Sequence, residues 1–189
     1  MSRLSFYLAD LNYVNYLKNE EIKARGFSRV PDLDYGKDRM PKFLCGIVFE
    51  HKGIVYYAPI SSNKTNHPTS FLIKNEKGKT LSSIRFNFMF PIPLSCIRPY
   101  DFSIIENKQY LSLVQHELSF CQSHQDDILK KAKKVYRTVV YGTAEKVKSN
   151  ACDFRLLEKC CREYEAAHSP APARAASEKV SRRDVDPEI

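Results

Sequence analysis

A polar stretch that follows an apolar run ending in Pro59 is the part of the sequence best suited to chemistry. Ser61, Ser62, Lys64 and His67 occur there within seven residues. Their hydroxyl, ammonium and imidazole groups could hold a phosphodiester while an RNA 2′-hydroxyl attacks it, and could stabilise the negative charge that develops. That reaction requires no metal. The alternative is an ordinary polar turn in which serine binds the backbone, and the residue types alone favour the turn.

Basic residues elsewhere in the chain could contribute to the same chemistry. Lys42 follows Pro41 just before a predicted strand, and the aromatic Tyr35 lies in the loop before it. Five further basic residues share the polar side of a predicted helix: Lys130, Lys131, Lys133, Lys134 and Arg137. Solvated side chains are the simple explanation for both groups. The functional alternative is a surface that follows the phosphates of a nucleic acid.

The net charge is concentrated in one part of the chain. The 189 residues carry a formal charge of +8. Residues 166–189 contain four basic and four acidic residues, so the whole excess lies in residues 1–165. A basic folded domain indicates a polyanionic partner, either nucleic acid or an anionic membrane surface. No apolar run approaches the ~20 residues that span a bilayer, and the N-terminus lacks the apolar segment of an export signal. We therefore expect a cytoplasmic protein without a membrane partner.

The cysteine and histidine positions argue against a metal site. The six cysteines show no CxxC spacing and no paired histidine ligands, and they lie mostly among apolar neighbours. Reduced, buried thiols are the expected state. The five histidines are scattered, and the phosphate-loop, dinucleotide, HExxH and GxSxG motifs are absent. We expect neither a metal nor another cofactor.

The apolar patterns in the first half of the chain predict strands. Residues 43–49 and 54–58 are apolar runs joined by a turn that contains Gly53, which predicts a β-hairpin. Further strands are predicted at residues 71–73 and at residues 84–90, where apolar residues alternate with others. A short strand is also expected at residues 6–8, followed by helical spacing of aromatic residues. Residues 21–41 are predicted to be a long exposed loop, and such loops are often functional.

The pattern changes to helical spacing after about residue 105. One helix is predicted around residues 111–118, a second over residues 128–139 that stops at Gly142, and a third that begins at Asp153 as its N-cap. Strands followed by helices predict an α+β domain with a compact antiparallel, barrel-like sheet and mainly C-terminal helices. We place this domain at residues 1–165. Residues 166–189 are predicted to be a disordered tail or an added extension.

Four groups of residues form an ordered pattern over about residues 5–165. They are Phe6 and Tyr7 with residues 13–18; Pro41 and Lys42 leading into residues 46–50; residues 57–64 with His67; and residues 88–92 with residues 152–158. Together they resemble the toxin proteins of type III toxin–antitoxin systems, the ToxN/AbiQ group. Each group alone is modest evidence, whereas the ordered set is specific.

This resemblance implies a fold, an activity and a partner. The implied fold is a compact antiparallel barrel-like core similar to the MazF/Kid toxins, with added helices. The implied activity is metal-independent endoribonuclease cleavage, often at A-rich sites, that leaves a 2′,3′-cyclic phosphate. The implied inhibitor is a repeated pseudoknot RNA antitoxin that the toxin processes, and family members can form rings of alternating protein and RNA. The expected role is phage defence by abortive infection.

The resemblance also assigns residues. It matches Lys42, Ser61, Ser62 and Lys64 to the family's catalytic positions, with Ser61 where many relatives have threonine. Tyr35 matches the family's loop tyrosine only if an insertion is assumed, because it stands six residues before Pro41. The further expected RNA-binding residues are His67, Arg85, Phe88 and the five basic residues of residues 130–137. Which group acts as base and which as acid stays open at this stage.

Two other functions are compatible with the same sequence. One is a non-catalytic RNA-binding module that keeps only the basic groove. The other is an RNase of the MazF type that is inhibited by a protein antitoxin.

Overall fold

A seven-stranded antiparallel sheet organises the chain in the computed structural model, which describes residues 3–34 and 42–168. The strands are β1 (Ser5–Ala9), β2 (Leu44–His51), β3 (Ile54–Ser61), β4 (Ser70–Lys74), β5 (Thr80–Arg85), β6 (Phe90–Pro91) and β7 (Ile97–Pro99). Their order is β4-β5-β3-β2-β1-β7, and β6 also pairs with β3. The sheet is open, because β4 and β7 do not pair with each other in the described part of the chain. The predicted α+β class is confirmed, and closure of the sheet into a barrel is not observed.

Five α-helices accompany the sheet within residues 3–34 and 42–168. They are α1 (Leu11–Arg25), α2 (Lys108–Ser123), α3 (Gln125–Tyr141), α4 (Glu145–Ser149) and α5 (Phe154–His168). On α3 the buried residues are the ones that the helical spacing predicted, and the helix ends before Gly142. The predicted cap of α5 is also present, because Asp153 Oδ1 accepts a hydrogen bond from the backbone N–H of Leu156 at 3.1 Å. Helix α5 extends past residue 165, where the domain was predicted to end.

The hairpin of β2 and β3 is confirmed. Lys52 and Gly53 form its turn with φ angles of 50° and 78°. Two successive positive φ angles match the right-handed twist of the flanking strands. This hairpin lies in the middle of the sheet: β2 pairs with β3 up to Pro59, and β5 pairs with the last two residues of β3, Ile60 and Ser61.

The single strand predicted over residues 84–90 is wrong. β5 ends at Arg85, a 3-10 turn covers Phe86–Phe88, and β6 begins at Phe90. The backbone turns there because Asn87 binds a distant segment. Its side-chain Nδ2 donates to the carbonyl of Asn150 at 2.7 Å, and its backbone carbonyl accepts from the backbone N–H of Cys152 at 2.9 Å. The period-2 pattern fails accordingly, since both Asn87 and Met89 are buried.

The long exposed loop predicted at residues 21–41 is also partly wrong. α1 continues to Arg25, and Glu21, Val30 and Leu33 are buried. Residues 35–41, which include Tyr35, lie outside the described residues. The segment 26–34 is therefore packed against the domain through Val30 and Leu33, whereas Phe27 and Asp32 are exposed.

The helices and the sheet share one core. In it, Glu158 Oε1 accepts hydrogen bonds from the hydroxyls of Tyr56 at 2.9 Å and Tyr136 at 2.7 Å. These bonds join β3, α3 and α5 and satisfy a carboxylate that would be costly to bury alone. All six cysteines are buried and unpaired, as predicted. Within the described ranges, no helix is both long and apolar enough to cross a membrane.

The two end strands of the sheet are short. β7 has three residues and ends at Pro99, and Arg98 on it is exposed. β4 has five residues, and a ring nitrogen of His116 on α2 lies 3.2 Å from the carbonyl of Lys74 at its end. A proline, a charge and a covering side chain are features that limit pairing at a sheet edge.

Gly46 on β2 provides a test of how the sheet packs. A Cβ at this position would overlap the ring of Tyr57 on β3. We expect Gly46→Ala to lower the free energy of unfolding by about 3 kcal/mol, since well-packed cores accept little extra volume. Urea unfolding of wild type, Gly46→Ala, Tyr57→Ala and the double variant would measure the coupling. If the overlap is the cause, Gly46→Ala costs much less once the ring is absent; an equal cost in both backgrounds would contradict it.

Candidate active site

One cavity brings together four of the residues predicted from the sequence. It has a volume of about 310 Å³ and is lined by Lys42, Ser61, Arg85 and Phe88, among others. Ser61 and Arg85 are the last residues of the neighbouring antiparallel strands β3 and β5. The 3-10 turn after β5 then adds Phe88, and the segment 28–32 forms the opposite wall.

The turn after Ser61 is fixed by its own hydrogen bonds. Ser61 Oγ accepts from the backbone N–H of Asn63 at 3.2 Å, and Asn63 Oδ1 accepts from Thr65 N at 2.8 Å. The carbonyl of Asn63 accepts from Ser83 Oγ at 2.6 Å, which attaches the turn to β5. The polar-turn explanation is therefore correct for the backbone, and it is compatible with the Ser61 hydroxyl lining the cavity.

The other predicted residues of this turn are not part of the cavity lining. Ser62, Lys64 and His67 are exposed and do not line it. His67 is nevertheless oriented, because its Nδ1 accepts from the backbone N–H of Thr69 at 3.3 Å and lies 2.8 Å from Thr69 Oγ1. The acceptor role of Nδ1 puts the proton of the neutral ring on Nε2.

Lys42 occupies a partly buried position near Asp32 and Lys18. Its Nζ donates to the carbonyl of Asp32 at 3.1 Å, and the Asp32 carboxylate forms an ion pair with Lys18 at 3.0 Å. Burial is the main cause that lowers the pKa of Lys42; the charge of Lys18 lowers it further, and the Asp32 carboxylate opposes both. A lysine with a lowered pKa can accept a proton more readily than a solvated one.

Arg85 has a donor that the described part of the protein does not use. Its guanidinium carbon lies 5.4 Å from the centroid of the Phe88 ring. Its Nε is buried and has no hydrogen-bond partner among the described residues. A buried donor without a partner is costly.

Sequence reasoning missed the wall on the other side of the cavity. Arg29 and Asp32 line it together with Ser28. The only signal in the sequence was the length of the loop, which gave no reason to select these residues. The placement of Ser28 and Arg29 depends on Glu21, which is 0 % exposed. The Glu21 carboxylate accepts hydrogen bonds from the side chains of Arg25 and Ser28 and from the backbone N–H groups of Arg29, Val30 and Asp153.

The pKa of Glu21 reflects this environment. Burial is the largest cause and would raise the pKa, but the hydrogen bonds from Asp153, Arg29, Ser28 and Arg25 together lower it below its ordinary value. Glu21 is therefore a buried anion whose charge is stabilised by fixed donors.

The predicted basic face of α3 is separate from the cavity lining. Lys130, Lys133, Lys134 and Arg137 are exposed, and Lys131 is half-buried. Lys130 Nζ lies 4.0 Å from Asp127. Across residues 3–34 and 42–168, no group of three histidine, cysteine or acidic side chains is arranged to hold a metal ion.

Comparisons with known proteins give the class of this chain. The family model described as "Toxin ToxN, type III toxin-antitoxin system" matches residues 5–162. The chain therefore belongs to this family of type III toxin–antitoxin toxins, and the resemblance stated from the sequence is confirmed. Endoribonuclease ToxN of Pectobacterium atrosepticum is 28% identical over 170 residues, which are 85% of this chain and 94% of that protein. Endoribonuclease AbiQ of Lactococcus lactis subsp. lactis is 22% identical over 168 residues, which are 82% of this chain and 86% of that protein.

Solved structures give the same result for the fold. A type III toxin that is selectively inhibited by a non-coding RNA pseudoknot matches with a TM-score of 0.74 at 22% identity, covering 87% of this chain and 99% of that chain. A structure from a bacterial antiviral system that is regulated by a processed non-coding RNA matches with a TM-score of 0.72 at 26% identity. The match covers 84% of this chain and 98% of that chain. The anti-phage endoribonuclease AbiQ matches at 0.72 and 20% identity, covering 87% and 99%.

Glu21 makes a pH-dependent contribution to stability that can be measured. Because its folded-state pKa is lowered below the unfolded value of about 4.3, the contribution is present above that pH and is lost as the pH falls through the folded-state pKa. We expect Glu21→Gln to be less stable than wild type by about 3 kcal/mol at pH 7, with a smaller difference at pH 3. Urea unfolding at both values tests this, with the exposed Glu163→Gln as control; an equal difference at pH 7 and pH 3 would contradict it.

Proposed function

We propose that this chain is a metal-independent endoribonuclease and the toxin of a type III toxin–antitoxin system. The observation that carries the proposal is the cavity in which Lys42, Ser61, Arg85 and Phe88 meet, in a chain of the ToxN family. Two relatives with this family's pattern are endoribonucleases. The charge excess of residues 1–165 supports a polyanionic substrate.

The proposed reaction uses the RNA as its own nucleophile. A base removes the proton of a 2′-hydroxyl, the 2′-oxygen forms a bond to the adjacent phosphorus, and the bond from phosphorus to the 5′-oxygen breaks. The products are a 2′,3′-cyclic phosphate and a 5′-hydroxyl, which takes up one proton. The protein must hold the two oxygens in line and neutralise the charge that develops on the phosphorane.

Lys42 is the proposed base in this scheme. Its partial burial and the nearby Lys18 lower its pKa, which favours the neutral amine that can accept a proton. The hydroxyls of Ser61 and Ser62 and the ammonium group of Lys64 are proposed to stabilise the phosphorane, with Lys64 supplying the proton to the 5′-oxygen. Tyr35 is kept as a further proposed catalytic residue on the basis of the resemblance.

The proposed RNA path continues beyond the scissile phosphate. Arg85 and Phe88 offer a guanidinium group and a ring in the cavity, and an aromatic ring with an adjacent cation suits a stacked base and its phosphate. His67 presents its Nε2 side on the same turn as Ser61. The exposed basic residues 130–137 on α3 would hold RNA phosphates at a distance from the chemistry.

The proposed partner is a repeated pseudoknot RNA antitoxin that the toxin itself processes. Structural relatives of this chain are inhibited or regulated by non-coding RNA, and one is an anti-phage enzyme. We extend inhibition by such an RNA and phage defence to this chain. The family resemblance adds a cytoplasmic location, abortive infection, cleavage at A-rich sites, a MazF/Kid-like core and a ring of alternating protein and RNA to the proposal. Residues 1–165 would form the toxin domain, with residues 166–189 as a tail.

Cleavage in the presence of a chelator tests the enzymatic proposal. Purified protein in EDTA should cut RNA at specific sites and leave cyclic phosphate ends. Ser61→Ala and Lys64→Ala should reduce cleavage about 100-fold or more while leaving RNA affinity largely intact. Lys159→Ala, an exposed lysine on α5, is the matched control and should cut normally. Intact RNA at high protein excess would leave an RNA-binding module as the better description, and inhibition by a neighbouring acidic protein would indicate the MazF type.

The pH dependence of cleavage tests the role of Lys42. If its amine is the base, kcat/KM should rise with pH and level off below the ordinary lysine pKa of about 10.4, because burial and Lys18 lower the pKa of Lys42. Lys42→Arg keeps a cation that does not lose its proton, so it should lower kcat about 100-fold or more and remove this rise. A Lys42→Arg profile parallel to that of wild type would show that Lys42 does not act as the base.

A further inference from the structure

The segment that follows α1 presents an aromatic ring with two guanidinium groups close to it. Phe27 is 42% exposed. The guanidinium carbons of Arg25 and Arg29 lie 4.5 Å and 5.2 Å from the centroid of its ring. Both guanidinium groups lie over the ring. An exposed aromatic ring beside guanidinium groups has the chemistry to bind a nucleobase and its phosphate.

The two arginines have different roles within this group. Arg25 is held by the protein, because its guanidinium donates to Glu21 at 2.7 Å and to the carbonyl of Ala151 at 3.0 Å. Arg29 is held at two other points: its backbone N–H donates to Glu21 at 2.6 Å, and its Nε donates to the carbonyl of Ser149 at 3.1 Å. Its two terminal nitrogens have no hydrogen-bond partner in the described part of the chain. Arg29 is thus oriented by the protein and keeps donors for a ligand.

Arg29 connects this platform to the candidate active site. Arg29 lines the same cavity as Lys42 and Ser61. Phe27 stands two residues earlier in the chain and is not part of the cavity lining. A guanidinium group beside a phenylalanine ring also occurs at Arg85 and Phe88 in that cavity, at 5.4 Å. The same pair of groups therefore occurs twice, once in the cavity and once on the segment that forms its wall.

We propose that Phe27 and Arg29 form a second RNA subsite, which binds a single-stranded nucleotide that flanks the scissile phosphate. The base stacks on Phe27, and the terminal nitrogens of Arg29 bind the phosphate that leads into the cavity. The proposal rests on the proposed function in one respect, which is that RNA occupies the cavity. Because Glu21 and Ser149 already fix the Arg29 backbone and Nε, binding costs little side-chain entropy.

Steady-state cleavage by Phe27→Ala and Arg29→Ala tests the subsite. The substrates are a single-stranded RNA of about 12 nucleotides that wild type cuts, and two versions shortened to one nucleotide on the 5′ or the 3′ side of the cut. On the full substrate, each variant should raise KM about 10-fold with little change in kcat, since base stacking contributes ~1–3 kcal/mol per base. On one of the two shortened substrates the variants should match wild type, because the flanking nucleotide is absent.

Three further variants separate stacking, charge and folding. Phe27→Tyr keeps a ring and should resemble wild type, and Arg29→Lys keeps a charge without the planar fork and should recover only part of the affinity. Arg98→Ala removes the same charge from the exposed edge strand β7 and should leave KM nearly unchanged. Urea unfolding of each variant confirms that it is folded.

Several outcomes would overturn the subsite. It is wrong if Phe27→Ala and Arg29→Ala behave like Arg98→Ala, or if their loss is equal on all three substrates. If wild type binds RNA without cutting it, the proposed enzymatic function fails, and the affinities of the same variants for uncut RNA then decide the subsite separately. If wild type neither binds nor cuts RNA, both proposals fail.

Discussion

The buried carboxylate of Glu21 is the interaction on which the candidate site depends. It accepts hydrogen bonds from three parts of the chain: the end of α1, the segment that forms one wall of the cavity, and the residue before α5. An ionised group at this depth would be very costly without them. Since the donors lower its pKa despite burial, the wall and the two helix ends are fixed together. The placement of Arg29 follows from this one charge, whereas Asp32 is held by Lys18 and Lys42.

The opposite wall of the cavity has an independent origin in the sheet. Antiparallel pairing brings the ends of β3 and β5 together, and Ser83 fixes the turn that leaves β3 through the Asn63 carbonyl. The candidate site is therefore the junction between a rigid strand end and a segment held by a buried anion. Lys42 also lines the cavity, and its ammonium group donates a hydrogen bond to the Asp32 carbonyl in the segment held by the anion.

Local patterns predicted those parts of the structure that depend on local physics. The apolar spacing from Ile128 to Val139 defined the buried face of α3, since neighbouring turns alone decide which side chains share a face. The strand predicted over residues 84–90 failed because Asn150 and Cys152, more than 60 residues away, bind Asn87. Arg29 was missed for the same reason: its partners Glu21 and Ser149 are not visible as a pattern. The residue types after Pro59 made a phosphate site possible but favoured a polar turn. The turn exists, and the family resemblance was what favoured chemistry there.

The short end strands of the sheet affect how copies of this chain could assemble. β7 ends in proline and carries an exposed arginine, and β4 has a histidine ring against its last carbonyl. Both edges are poor templates for a further strand. Self-association by sheet extension, the common route to fibrous aggregates, is therefore disfavoured. A larger assembly of this chain would therefore have to form through surfaces other than the two edges of the sheet.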